Sequence, residues 1–308
     1  MAKLGIKKRN KTFFLKLQAI VITIFLKVLI GFVGFFNIRQ IQKLADILGS
    51  IAYYVPTKKL RSALENMEFV YGQEKTTREL KEILKKNLKF SSRCMCDMAY
   101  CVAKGKITTI SDLLDLSDLK EKLPKFAANK QGAIAISAHL GNFMLLGGLL
   151  NAVGYKNKTI IRPMRNPFLE KEYIAVRKTL NHDWVDKFPV SKAIKEGLDW
   201  VQSGGMLILL IDQRSKSGVE IKFLGKNAIM PKGASVFASK TGCKVFPMFA
   251  VLEKNHYKII VGDEIPLVRT GNFNEDAVAN TENFTKVIEK YIKKYPEQWF
   301  WFNRIWQQ

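Results

Sequence analysis

Histidine is scarce in this 308-residue chain: only His139, His182 and His256 occur. His139 follows the apolar run GAIAISA, residues 132–138, which is read as a buried strand. Gly141 and Asn142 then supply turn chemistry, and an apolar helix is expected over about 143–153. An imidazole at the carboxyl end of a strand, beside a helix N-terminus, stands where open α/β sheets bind ligands. It could take a proton from a substrate hydroxyl near neutral pH, and the helix N–H groups could hold an anion. A solitary histidine is otherwise most often a hydrogen-bonded core or turn residue. Strand end, glycine turn and helix start together favour the functional reading.

A second group ends another strand. GMLILLID, residues 205–212, is apolar until Asp212, with Gln213 and Arg214 next. A carboxylate there is either a structural hydrogen-bonding group or part of a site. Arg162 and Arg177 lie in IRPMRNPFLEKEYIAVRKTLN, and a guanidinium can hold phosphate or polarise a carbonyl oxygen; Arg165 and Asn166 are weaker candidates. Gly225 and Gly233 read as turn residues near the cleft. Pro231 and Gly233 open a helix over 232–241 whose N-terminus could take a phosphate. The cysteines, Cys94, Cys96, Cys101 and Cys243, form neither a CxxC pair nor a spaced zinc framework. They are expected to be reduced, buried thiols, and no metal is implied.

The elements that must position these residues fall into two stretches. Residues 38–130 read as helical, with a charged amphipathic helix over 74–86. Residues 131–308 alternate strands and helices. NKTIIR (157–162), VEIKF (219–223), KVFPMFAVL (244–252) and HYKIIVG (256–262) are the further strands. Helices are expected over about 167–181, 190–202 and 275–294. Such alternation gives an α/β fold with a central, mostly parallel sheet flanked by helices. Residues 38–308 are taken as one domain. Trp299, Trp301 and Trp306 in the tail are read as core plugs rather than interface anchors.

Residues 1–37 form a basic segment and a hydrophobic helix. Lys3, Lys7, Lys8, Arg9 and Lys11 precede the apolar stretch 13–36. As a helix those 24 residues are about 36 Å long, enough to cross a bilayer. Lys27 would cost a few kcal/mol in mid-bilayer unless it snorkels. A membrane anchor, an interfacial helix and a helix docked on the domain all remain open; a helix embedded from the cytoplasmic side is preferred. The net charge of +23, from 50 Lys and Arg against 27 Asp and Glu, suits a polyanionic partner, although a solvated Lys-rich surface would look the same. No nucleic-acid-binding signature accompanies it.

The segment AHLGNFM resembles the HxGNWE form of the H-x4-D/E motif of the bacterial lipid A late acyltransferases, within the wider glycerolipid acyltransferase group. RSALENMEFVYG precedes it. RPMRNP with Arg177, then DQR, then IKFLGKNAIMPKGASVFASKTGCKVFP, then PEQWFWFNRIW follow it in the family's order. The resemblance implies an acyltransferase of lipid A and lipopolysaccharide biosynthesis at the cytoplasmic face of the cell inner membrane. His139 would be the general base, and Arg177 would lie near the developing oxyanion. Asn142, Arg162, Gln213, Arg214 and Gly233 would contact substrate. The donor would be acyl carrier protein or acyl-CoA, the acceptor an anionic glycolipid, and no cofactor is needed.

Two positions depart from the pattern. The fifth residue after His139 is Met144, where the family carries the acid that orients the imidazole, and Asn303 stands near where a family histidine is usual. A thioether accepts no strong hydrogen bond. Three accounts follow: an inactivating change, substitution by another carboxylate with Asp212 the best candidate, or a different chemistry. Lowered or lost turnover is the preferred expectation. The alternative function is a catalytically silent lipid- or acyl-carrier-binding protein on the same fold.

Overall fold

The computed structural model describes residues 2–127 and 132–306. Four helices come first: α1 (Ala2–Val33), α2 (Ile38–Tyr54), α3 (Lys58–Tyr71) and α4 (Thr77–Ala103). The expected helix over 74–86 falls at the start of α4, which begins at Thr77 and is 27 residues long in all. Thr76 and Glu79 close a capping box at its start, which fixes where it begins. A 3-10 segment (Ile107–Leu113), the short strand β1 (Leu114–Asp115) and helix α5 (Ser117–Ala127) lead to the α/β part.

There the chain runs β2 (Ala133–Ser137), α6 (Phe143–Ala152), β3 (Asn157–Ile161), α7 (Pro167–Thr179), β4 (Trp184–Asp186), α8 (Val190–Gln202) and β5 (Met206–Leu210). The hairpin β6 (Val219–Phe223) and β7 (Lys226–Met230) precedes α9 (Gly233–Thr241), β8 (Lys244–Glu253), β9 (His256–Val261) and α10 (Phe273–Lys294). A seven-stranded sheet has the order β1-β9-β8-β2-β5-β3-β4. Its pairs are parallel except β8 with β9. The mostly parallel α/β sheet expected from sequence is therefore present. VEIKF is a strand, but not of this sheet: Leu224 (φ 50°) and Gly225 (φ 80°) turn it back onto 226–230 as a separate hairpin.

Alternation along the central strands divides the interior into two cores. Ile134 and Ile136 of β2, with Leu207 and Leu209 of β5, face one side; Ala133, Ala135, Met206 and Ile208 face the other. All five residues of β2 are buried, as expected for a strand covered on both faces. Burying each isoleucine stabilises the fold by about 1.5–3 kcal/mol. The three tail indoles are buried in the first core, as core plugs should be.

One register positions the chemistry. Ser137 of β2 pairs with Leu210 of β5, in parallel. Two residues further along each strand come His139 and Asp212. The sheet thus delivers imidazole and carboxylate side by side at its carboxyl edge.

Candidate active site

His139 leaves β2 into a turn that only glycine fits at the next position but one. Gly141 has φ 66°, and a Cβ there would lie 2.1 Å from the Ala250 carbonyl oxygen. The close approach lets the Asn142 N–H donate to that oxygen at 2.7 Å and start α6. The imidazole is held from several sides. Its Nδ1 lies 2.8 Å from Asp212 Oδ1, and its backbone N–H donates to Asp212 Oδ2 at 2.8 Å. Trp299 Nε1–H donates to the same Oδ2 at 2.8 Å. Gln213 Nε2 lies 3.0 Å from His139 Nε2. With Nδ1 protonated toward the carboxylate, Nε2 keeps its lone pair, and the Gln213 amide donates to it.

Asp212 is fully buried. Burial alone pushes its carboxyl up. The positive character of His139 and the three N–H donors outweigh that, and the carboxyl ends below the usual aspartate range. An ionised, fully bonded carboxylate against Nδ1 is the arrangement that orients a catalytic histidine and stabilises its protonated form. The expectation that Met144 deprives the imidazole of an acid is corrected here. Asp212, on the neighbouring strand, makes that contact.

Met144 lies in the same cleft without bonding the ring. The cleft is lined by Phe90, Cys94, Met95, Phe143 and Phe300 besides His139 and Met144, and holds about 110 Å³. His139 is 16% exposed there, and Phe143 packs on it with ring centroids 4.7 Å apart.

The tail closes the site over a long sequence distance. Phe300 N–H donates to the His139 carbonyl at 2.9 Å, and Gly141 N–H to the Gln298 carbonyl at 3.0 Å. Asn87 of α4 donates to the Glu297 and Trp299 carbonyls, and Asn66 of α3 to those of Trp301 and Asn303. Asn303 thus serves through its backbone. Trp299, Asn66 and Asn87 had no signal in sequence beyond the need of a buried indole N–H for an acceptor.

Other candidates fall elsewhere. Arg162 and Arg214 are exposed near the carboxyl ends of β3 and β5; Arg162 stacks over Phe188 at 5.6 Å. Gly233 opens α9 with free space around it. Asn142, the N-cap residue of α6, is fully buried, with the Tyr257 hydroxyl beside its side chain. It is not a cleft residue. Arg177 is buried in an ion pair with Glu170, between the rings of Tyr173 and Trp184. Its expected place at an oxyanion is not formed, since α7 descends from the carboxyl edge and carries it toward the start of β4. Asn166, at the cap of α7, donates to the Leu15 carbonyl and ties α1 to the domain.

The family model for bacterial lipid A biosynthesis acyltransferases matches residues 7–308. The chain is also 22% identical over 204 residues to a phosphatidylinositol mannoside acyltransferase of Mycolicibacterium smegmatis. That match covers 66% of this chain and 64% of the relative's length. The family match extends from the N-terminal helix through the His139 strand end to the tryptophan tail, and the chain belongs to the bacterial lipid A biosynthesis acyltransferase family.

Proposed function

We propose that this protein transfers a fatty-acyl group from an acyl thioester to a hydroxyl of a membrane glycolipid. The single observation that carries the reading is the His139–Asp212 pair opening on an apolar cleft. The acceptor hydroxyl takes the position of the Gln213 amide at Nε2 and gives its proton to that nitrogen. The hydroxyl oxygen attacks the thioester carbonyl, and the tetrahedral adduct collapses to an ester and a thiolate. The imidazolium returns the proton to the thiolate, so that thiol leaves and the base is restored. Asp212 stays ionised throughout and balances the transient positive charge.

The donor is acyl carrier protein or acyl-CoA, and a lipid A precursor or a related phosphorylated glycolipid is the acceptor. The basic surface suits an acidic carrier and a phosphorylated acceptor. The cleft is small, about 110 Å³. It accommodates the reacting atoms, and a long acyl tail must extend past Phe300 and Met95, which is half exposed. Residues 13–33 of α1 are long and apolar enough to cross a membrane and are almost wholly exposed. We place α1 in the bilayer at the cytoplasmic face of the inner membrane, with the catalytic cleft near the lipid surface.

The test is acyl transfer from labelled acyl carrier protein or acyl-CoA to a purified glycolipid precursor in mixed micelles. His139→Ala is expected to abolish turnover while leaving the protein folded. Unimpaired transfer by that variant would remove His139 from the chemistry. Retained lipid and carrier binding with no turnover by the native chain would favour a silent binding protein, the reading Met144 suggests.

A further inference from the structure

A second concave surface lies outside the catalytic cleft, where α2, α3 and α4 meet. It encloses about 780 Å³. Lys58, Arg61 and Lys81 line it above a floor of Leu60, Leu64 and Leu84. Among the described residues none of the three cations has an ion-pair partner, although Glu65 stands one turn from Arg61 and Glu82 adjoins Lys81. Thr57, the N-cap of α3, and Lys58, its first residue, also line it, so that the positive end of that helix faces the groove, with the Thr57 hydroxyl accepting from the Leu60 N–H. Tyr53 and Tyr54 at the end of α2 line the groove, and an apolar face runs back from them along that helix: Ile47, Leu48, Ile51 and Tyr54, with the cap residue Val55, are all about half exposed or more.

We infer that this groove holds the phosphate headgroup of an anionic membrane lipid, with the exposed face of α2 seated among the acyl chains beside it. Unpaired cations and a helix N-terminus recognise phosphate, and a contiguous apolar face along the adjoining helix needs a hydrocarbon environment. An acidic soluble protein would satisfy the charges and leave Ile47, Ile51 and Tyr54 in water, which favours the lipid. Leu84 lines the groove and Ser91 the catalytic cleft. They lie seven residues apart on one side of α4, about 10 Å along its axis. A lipid held by the groove therefore brings the bilayer surface to the mouth of the cleft. This inference rests on the membrane placement proposed above.

The experiment uses the purified full chain and sedimentation with phosphatidylcholine vesicles, with and without phosphatidylglycerol. A triple variant, Lys58→Ser with Arg61→Ser and Lys81→Ser, is compared with a control that loses the same charge, Lys178→Ser with Lys195→Ser and Lys290→Ser. The groove variant is expected to lose roughly 100-fold in affinity for the phosphatidylglycerol vesicles, and the control no more than about threefold. Binding to phosphatidylcholine alone, which α1 supplies, is expected to be equal in all three. Equal losses in the two triple variants would show diffuse charge and overturn the groove. So would a groove variant that keeps its vesicle binding but no longer binds acyl carrier protein. No binding to either vesicle by the native chain would overturn the membrane placement itself. Because binding needs no turnover, His139→Ala must behave as the native chain in every arm.

Discussion

Among the described residues two aspartates are fully buried, and their carboxyls move in opposite directions. Asp212, at the end of β5, is held below the usual range although burial pushes it up. Asp97, in the last two turns of α4, is pushed up to about 6, by burial first. The difference is the company each keeps. Asp212 receives three N–H donors at 2.8 Å, one of them from an imidazole that becomes a cation. Asp97 receives the Tyr257 hydroxyl at 2.6 Å and a long contact of 3.5 Å from Gln42, while Arg93 spends its Nη1 on Asn255. Depth alone does not set the charge of a carboxyl; the donors that reach it do.

Breaking the well-served pair has the largest expected consequence. Asp212→Asn keeps the shape and removes the charge, and leaves Nδ1 without its acceptor of choice. Turnover should fall on the order of 10⁴-fold, as for the analogous change in a hydrolase triad, measured as kcat with saturating acyl donor. A loss of less than tenfold would end the assignment of Asp212 as the orienting acid. The low-lying carboxyl also fixes a sign. Asp212 remains ionised below the usual aspartate range, so its contribution to stability is lost only in stronger acid, and an acid limb at mildly acidic pH belongs to another group.

The poorly served aspartate gives the next largest effect, on stability rather than rate. Between the unfolded value of 3.8 and the folded value of about 6, the folded chain keeps a proton that the unfolded chain has released. Stability from this residue therefore falls as pH rises through that window. The full cost, on the order of 3 kcal/mol, is present at pH 7. Asp97→Asn should remove that decline. Urea unfolding at pH 4.5 and 7.5 in detergent checks it, and parallel behaviour of variant and native chain would break the contrast.

Smaller effects sharpen the comparison. Trp299→Phe deletes one donor to Asp212 and keeps most of the packing. A hydrogen bond to a charged group contributes about 1.5–3 kcal/mol, so turnover should drop about 10- to 100-fold with the acceptor KM little changed. Met144→Glu should do least. With Asp212 already on Nδ1, a second carboxylate in an apolar cleft has no vacancy to fill, and transfer should not rise. A gain of 100-fold or more would restore residue 144 to the role its family position implies.

The residues that end strands were legible in the sequence, because an apolar run closed by His139 or Asp212 carries its own register. What the sequence could not show was that the two strands are neighbours, since nothing in GAIAISA or GMLILLID names a partner. Strand β4 carries no sequence signature, because three residues, Trp184, Val185 and Asp186, are too few to show a period. Arg177 was legible as a guanidinium on a helix, but not which way that helix runs from the sheet. Trp299 was read as a core plug and is one; that its N–H also meets Asp212, 87 residues earlier, is a tertiary fact. The RPMRNP segment was read for its arginines, and its Asn166 ties down the first helix.

The clasp of Asn66 and Asn87 on the tryptophan tail has a consequence for the life of the nascent chain. Trp299 leaves the ribosome 160 residues after His139, a delay of about 10–30 s at ordinary bacterial elongation rates. Until then Asp212 lacks one of its donors and the tail that seals the turn is missing. A growing polypeptide therefore carries an unfinished acid–base pair until that indole has been synthesised, and the proposed acyl transfer has to wait for it.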